Sequence, residues 1–472
     1  MLFRPNLSLA AWFLFGSLAL HADAQSGGRV DVWRTNADRS QLLSHQQLGR
    51  ERKTGSLADV SIVVNDAKAM QQVEGFGFAM TGGSAQLLHH MSPSARHALL
   101  RELFGTDKKG LGVSYLRLSI GASDMNDHVY TYDDLPEGQT DPTLAHFSLK
   151  EDQADVIPVM KEVLGIAPHL HLLASPWTAP AWMKTNGSVK GGTLRPEYYQ
   201  AYATYLVRYL KEMQANGIPI DAITMQNEPL NPKNTPSLEF EAEQEQAFLR
   251  DALGPALHTA GLKTKVVLFD HNCNHPDYPM TILHDPEAAQ YAAGSGFHLY
   301  EGEISAMSEV HNAFPDKGLY FTEQMVIEEM RDGKQRPVAE PVSRVVVGAM
   351  RNWSRTVLLW NLAADEKFGP HTSDGGCPVC QGAITVEGDR VSRNIALYTI
   401  AHASRFVPVG STRIESTEED PTLANVAWLR PDGRHVLLVA NTAKEAKALK
   451  VVAGPRTFST LVGGGETATF VW

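Results

Sequence analysis

Two glutamates stand where chemistry is expected. The run Ala222-Ile223-Thr224-Met225-Gln226 leads into Asn227-Glu228-Pro229, and Gly318-Leu319-Tyr320-Phe321-Thr322 leads into Glu323. Both runs are short, apolar and β-prone and stop on a polar residue, which delivers each carboxyl at the end of a strand. Two such carboxyls can divide acid/base and nucleophilic work on one bond.

Strand ends must be held by something larger. From Glu74 onward, short apolar runs alternate with stretches of helical spacing. Eight runs can be counted, at 75–80, 115–121, 169–175, 222–227, 265–271, 295–300, 318–323 and 356–361. Eight strands alternating with helices predict an α/β fold, the (β/α)8 or TIM barrel. Between the third and fourth runs, Tyr198, Tyr202, Tyr205, Leu206, Tyr209 and Met213 recur at three- and four-residue steps, which predicts a helix over 196–214. Gly217 and Pro219 then stop it. About 95 residues separate Glu228 from Glu323, and a barrel of about 250 residues spends about 31 on each unit, so the two fall on the fourth and seventh strands. Both then sit at the C-terminal rim, where such barrels carry their active sites.

Strand-like segments at 30–33 and 61–64 have no helix to pair with. Past Phe406 the pattern turns to strands and turns, at 426–429, 435–440 and 467–472, with Arg430-Pro431-Asp432-Gly433-Arg434 as a hairpin turn. The two ends of the chain are expected to share an accessory β-sandwich. The domains read as a leader at 1–24, N-terminal sandwich strands at 25–70, the catalytic barrel at 71–405 and the rest of the sandwich at 406–472.

The formal net charge is -11 over 472 residues, which argues against a nucleic-acid groove or an anionic membrane surface and suits a neutral or cationic substrate. Residues 1–24 carry Arg4, an apolar stretch from Leu9 to Leu20 and Ala22-Asp23-Ala24, the form of a cleaved export leader. The rival reading is a membrane anchor, for which about 12 apolar residues are short. Of three cysteines, Cys377 and Cys380 read as a small disulfide-closed loop in an exported protein, with Cys273 unpaired. A redox Cys-x-x-Cys is one alternative. A zinc site joining His271, Cys273, His275 and Asp277 to that pair is another.

The segment from Leu172 to Gly187, Leu-Leu-Ala-Ser-Pro-Trp-Thr-Ala-Pro-Ala-Trp-Met-Lys-Thr-Asn-Gly, resembles the third-strand segment of the glucosylceramidases of glycoside hydrolase family 30. Further similarity lies in Gly75-Phe76-Gly77 with Ala79-Met80-Thr81, Arg117 to Asp124, Asn227-Glu228-Pro229, His298-Leu299-Tyr300, Glu323 and Trp360-Asn361-Leu362-Ala363. The resemblance implies a retaining β-glycosidase with Glu228 as acid/base and Glu323 as nucleophile. It also implies that Asp124, Trp177, Asn227 and Trp360 line the sugar subsite, that Tyr300 lies near the nucleophile, and that no cofactor takes part. His298 reads equally as a site residue or a structural hydrogen-bonding one, and Trp177 and Trp360 as sugar platforms or barrel core. Arg117 reads as a buried charge paired with a catalytic carboxylate.

The loop 230–236 is shorter and more polar than that of the lysosomal members, and Gly375-Gly376-Cys377-Pro378-Val379-Cys380 replaces another of their loops. The expected partner is therefore a β-glucoside, either glucosylceramide or β-1,6-glucan and its oligosaccharides, with neither nucleic acid nor stable membrane insertion. The rivals are a non-catalytic carbohydrate-binding barrel, a retaining β-xylosidase or β-fucosidase of the same family, and a metal-dependent hydrolase built on His271, Cys273 and His275. If the glutamates act as a pair, ionised Glu323 should raise the pKa of Glu228.

Overall fold

A computed structural model describes Met1 and residues 29–49, 59–329 and 333–472. Apart from Met1, the expected leader lies outside the described residues. In chain order, β1 (Val30–Thr35), β2 (Ser44–Leu48) and β3 (Val60–Gln72) come first. The barrel strands follow: β4 (Gly75–Met80), β5 (Tyr115–Ile120), β6 (His171–Pro176), β7 (Ala222–Thr224), β8 (Lys265–Cys273), β9 (Ala292–Gly302), β10 (Gly318–Glu323) and β11 (Ser354–Leu359). They close in sequence order, with parallel pairing of β11 to β4 completing the ring. Each expected run contributes one strand, and Glu228 and Glu323 follow or end the fourth and seventh.

The period of two along each strand explains how the barrel interior is filled. Tyr115, Leu173, Ala222, Val267, Tyr320 and Leu358 form a buried apolar layer across six strands. Two residues further on, Arg117, Ser175, Thr224, Thr322 and Trp360 continue the same faces toward the C-terminal rim. The interior thus changes from apolar to polar in one step, and the polar layer is the floor of the site. β8 departs from this period. Its register against β9 shifts between Phe269 and His271, and Phe269 and Asp270 have φ of 71° and 60°. This bulge sends Phe269 out to the main core and turns Asp270 inward, fully buried.

A β-sandwich is built from both ends of the chain. β15 (Thr412–Ser416), β16 (Leu423–Leu429), β17 (His435–Asn441), β18 (Lys447–Ala453), β19 (Arg456–Val462) and β20 (Thr467–Val471) join β1, β2 and β3 in the order β19-β18-β3-β15-β16-β17-β20-β1-β2. Val32, Ile62, Leu437, Val439, Leu449 and Phe470 form its own core, while Trp428 turns its edge to Phe76 of the barrel, with ring centroids 6.2 Å apart.

The sandwich strands β15, β18 and β19 were not among the expected segments, and four further features differ from the sequence reading. β2 was not expected, because Ser44-His45-Gln46-Gln47-Leu48 is polar and mostly exposed, an edge strand with little apolar signal. β12 (Ala363–Ala364), β13 (Ile384–Glu387) and β14 (Arg390–Arg393) form a small extra sheet beyond the last barrel strand. The fourth barrel strand ends at Thr224 rather than 227, because the chain turns at once into the loop carrying Glu228. The helix begins as a 3-10 turn at Pro196–Tyr198 and runs as an α-helix over Tyr199–Ala215. Among the described residues no helix is long and apolar enough to cross a membrane.

Candidate active site

Arg117 is the centre of the polar floor. Fully buried, it donates from Nη1 to Glu323 Oε2 at 2.7 Å, and from Nη2 to Asp270 Oδ2 and Asn227 Oδ1, each at 2.7 Å. Burying a guanidinium is costly unless its charge and donors are met, and here two carboxylates, an amide and, at Nε, the Ser175 hydroxyl meet them. Asp270 is the counterweight. Its oxygens accept from Ser175 Oγ (2.9 Å), Thr224 Oγ1 (2.8 Å) and Thr322 Oγ1 (2.6 Å) as well as from Arg117, so it stays ionised despite complete burial.

His298 joins this floor to both glutamates. Its Nε2 lies 3.0 Å from Asp270 Oδ1, and its Nδ1 lies 3.2 Å from Glu228 Oε1 and 3.8 Å from Glu323 Oε1. Glu228, His298 and Glu323 each place one such atom within 4.8 Å of the others. Glu228 is held at its other oxygen by Asn231 Nδ2 (2.7 Å) and Asn234 Nδ2 (3.3 Å), from the loop that follows it. Its backbone, at φ 46°, donates N–H to the Asp270 carbonyl at 3.0 Å. Glu323 accepts at Oε1 from the Tyr300 hydroxyl at 3.0 Å, and that hydroxyl is oriented by the Met325 N–H at 3.1 Å.

The expected rise of Glu228 is not found, and its net shift is downward. Burial pushes Glu228 up, but the hydrogen bond and the charge of His298 outweigh it and hold the carboxyl down at about 2. Burial pulls His298 down, yet the charge of Glu323 and hydrogen bonds to Asp270 and Glu228 lift it to about 9. Glu323 is raised, chiefly by burial, which His298 and Arg117 only partly offset. The site therefore keeps its proton on His298, beside Glu228, in a cluster that titrates as a unit. Asp124 is pushed up to about 8 by burial and by the charges of Glu323 and Glu228.

A cavity of about 480 Å³ opens above this floor. Asp124, Trp177, Asn227, Glu228, Tyr300, Glu323 and Trp360 all line it. The rings of Trp177 and Trp360 lie 5.4 Å apart at 33°, and Arg117 sits 4.9 Å from the Trp177 ring centroid. Both tryptophans are buried and both border the cavity, so core packing and cavity wall are the same surface. At the mouth stand Asn231, Lys233, Asn234, Asn274, His275 and Glu301.

Cys377 and Cys380 are bonded to each other, and Cys273 is free and buried. The alternation His271, Cys273, His275 and Asp277 does not converge. Among the described residues the groups of three possible metal ligands are Asp133–Asp141–His146 and Glu228–His298–Glu323, neither of which includes it. Sequence reasoning passed over Asp270, Asn231 and Asn234. Asp270 had a legible signal, a lone carboxyl inside Val266-Val267-Leu268-Phe269-Asp270, but only the bulge turns it inward.

Comparison with known proteins accords with this geometry. Residues 73–407 match the glycosyl hydrolase family 30 TIM-barrel domain, and residues 410–469 match the family's beta sandwich domain. An endo-1,6-β-D-glucanase of Trichoderma harzianum is 31% identical over 393 residues, covering 79% of this chain and 78% of its own. The lysosomal acid glucosylceramidase of Mus musculus is 29% identical over 439 residues, covering 87% and 83%. A solved endo-β1,6-glucanase superposes with a TM-score of 0.85 at 35% identity, covering 94% of this chain and 99% of that one.

Proposed function

The chain belongs to glycosyl hydrolase family 30, and we propose that this retaining β-glycosidase cleaves β-1,6-linked glucan or its oligosaccharides, with Glu228 as acid/base and Glu323 as nucleophile. The observation that carries the reading is the polar mouth. Asn231, Lys233 and Asn234, from the loop after Glu228, line the cavity together with Asn274, His275 and Glu301. Those groups can hydrogen-bond the hydroxyls of a second sugar, whereas a ceramide would cover polar side chains such as Lys233, His275 and Glu301 with hydrocarbon. The leader-like residues 1–24 support export from the cytoplasm.

The reaction follows from the proton held by His298. Glu323 attacks the anomeric carbon while Glu228, ionised beforehand, takes a proton from His298 Nδ1 and passes it to the leaving oxygen. Esterified Glu323 no longer carries the charge that most supports the imidazolium, so the proton leaves His298 at the step that consumes it. In the second half Glu228 takes a proton from water and returns it to His298, the hydroxide attacks the sugar, and Glu323 departs ionised. Arg117 and Tyr300 hold the nucleophile throughout. Asn227, its Oδ1 bonded to Arg117, offers its Nδ2 to the sugar 2-hydroxyl, and Asp124 offers its carboxyl to other sugar hydroxyls.

The test is kcat/KM of the purified chain on β-1,6-glucan and on detergent-dispersed glucosylceramide, with Glu323→Gln as the blank. Preference for glucan is expected. Preference for glucosylceramide would overturn the substrate assignment and show that the short 230–236 loop admits a lipid.

A further inference from the structure

One wall of the cavity has no part in the chemistry above. Cys377 and Cys380 both line the cavity, and the bonded pair packs in an apolar cluster with Ala79, Met125, Trp177 and Trp360. Cys380 is buried and Cys377 half-buried, while Pro378 and Val379 between them are exposed. The loop that carries the ring is anchored to the rest of the rim. Thr372 donates its N–H to the Asp124 carbonyl at 2.9 Å and its hydroxyl to the Thr235 carbonyl at 2.8 Å, and Lys190 reaches Asp374 at 2.9 Å. One four-residue ring thus packs in the cluster that holds both tryptophans, and its stem is tied to the loops that carry Asp124 and Glu228.

We propose that the Cys377–Cys380 disulfide is a positioning element of the glucoside site, holding the ring against Trp177 and Trp360 so that their faces are fixed before substrate arrives. Without the bond the ring regains conformational freedom, and the aromatic wall must be ordered at the expense of binding. Opening it is a two-electron step in which an added dithiol reduces the disulfide to two cysteine thiols and is itself oxidised to its cyclic disulfide. The proposal rests on the reading that the sugar sits against those tryptophans.

The experiment measures KM and kcat on a short β-1,6-gluco-oligosaccharide with and without dithiothreitol, alongside a count of reactive thiols and the melting temperature. Reduction is expected to raise KM about tenfold with kcat within about twofold, the pattern of lost uniform binding. Reoxidation should restore KM, and the Cys377→Ser/Cys380→Ser double variant should show the raised KM and ignore dithiothreitol. Two additional reactive thiols with unchanged KM, or a double variant with the original KM, would overturn the proposal. So would a fall in kcat and melting temperature with KM untouched, since that marks a purely structural bond. Oligosaccharide affinity of the Glu323→Gln variant, read by tryptophan fluorescence with and without dithiothreitol, tests the same point independently of turnover. If the oxidised chain cleaves neither glucan nor glucosylceramide, the hydrolase reading fails and this affinity still decides the disulfide's role.

Discussion

A carboxylate oxygen of Glu228 and one of Glu323 lie within 4.8 Å of each other, with His298 Nδ1 in contact with the first and 3.8 Å from the second. Retaining glycosidases hold their two carboxyls about 5–5.5 Å apart, and inverting ones about 6.5–9.5 Å to admit a water. A nearest approach within 4.8 Å accords with the retaining arrangement.

From this gap a direct assay of the two roles follows. Glu323→Ala should abolish turnover, and added azide should then yield an α-glucosyl azide. Glu228→Ala with azide should yield the β-anomer, because the ester still forms and azide replaces the water. The anomers are read by the coupling constant of the anomeric proton, and the reverse assignment would show that the roles are exchanged.

Replacing His298 should narrow the pH profile from both sides. In the folded site His298 holds its proton up to about 9, so the alkaline limb of kcat/KM should lie well above neutrality. In His298→Asn the proton falls to Glu228, and that limb should move down by a pH unit or more. Glu323 also loses a charge that lowers it, so the acid limb, already above the ordinary value for glutamate, should move up. An unshifted alkaline limb would remove His298 from proton storage.

Asp270→Asn keeps the shape of the side chain and removes its charge. Arg117 then has one carboxylate instead of two, and His298 loses the acceptor at Nε2. Breaking a buried pair costs about 3–5 kcal/mol, and a shift of about 1 Å in Arg117 or His298 can cost about 100-fold in rate. Both a lower melting temperature and a kcat reduced by about that factor are expected, measured by calorimetry and steady-state kinetics. Full activity would mean that Arg117 is positioned without Asp270.

Trp360→Ala removes one of the two rings facing the cavity. An aromatic contact contributes about 0.5–1.5 kcal/mol beyond its buried area, so KM for a β-1,6-gluco-oligosaccharide should rise roughly tenfold with kcat less affected. A loss confined to kcat would place the indole at the reacting bond rather than against the sugar.

Much of this protein is determined locally and was legible along the chain. Parallel strands buried on both faces read as continuous apolar runs, so the eight barrel strands, and the strand ends that carry Glu228 and Glu323, follow from sequence order alone. Asn227, Tyr300 and Trp360 are legible for the same reason, since each sits at the polar end of such a run. What sequence order cannot carry is direction. The bulge at Phe269–Asp270 turns a carboxyl from the helix side to the barrel interior, and no residue in Val266-Val267-Leu268-Phe269-Asp270 announces it. The ionisation of the glutamates was likewise decided by three-dimensional contact. Glu323 follows Glu228 by about 95 residues and would be expected to raise it, but His298, from a third strand, enters between them and makes the net shift downward. Electrostatic interaction depends on distance through space and on the depth of burial, and only the closed barrel sets both.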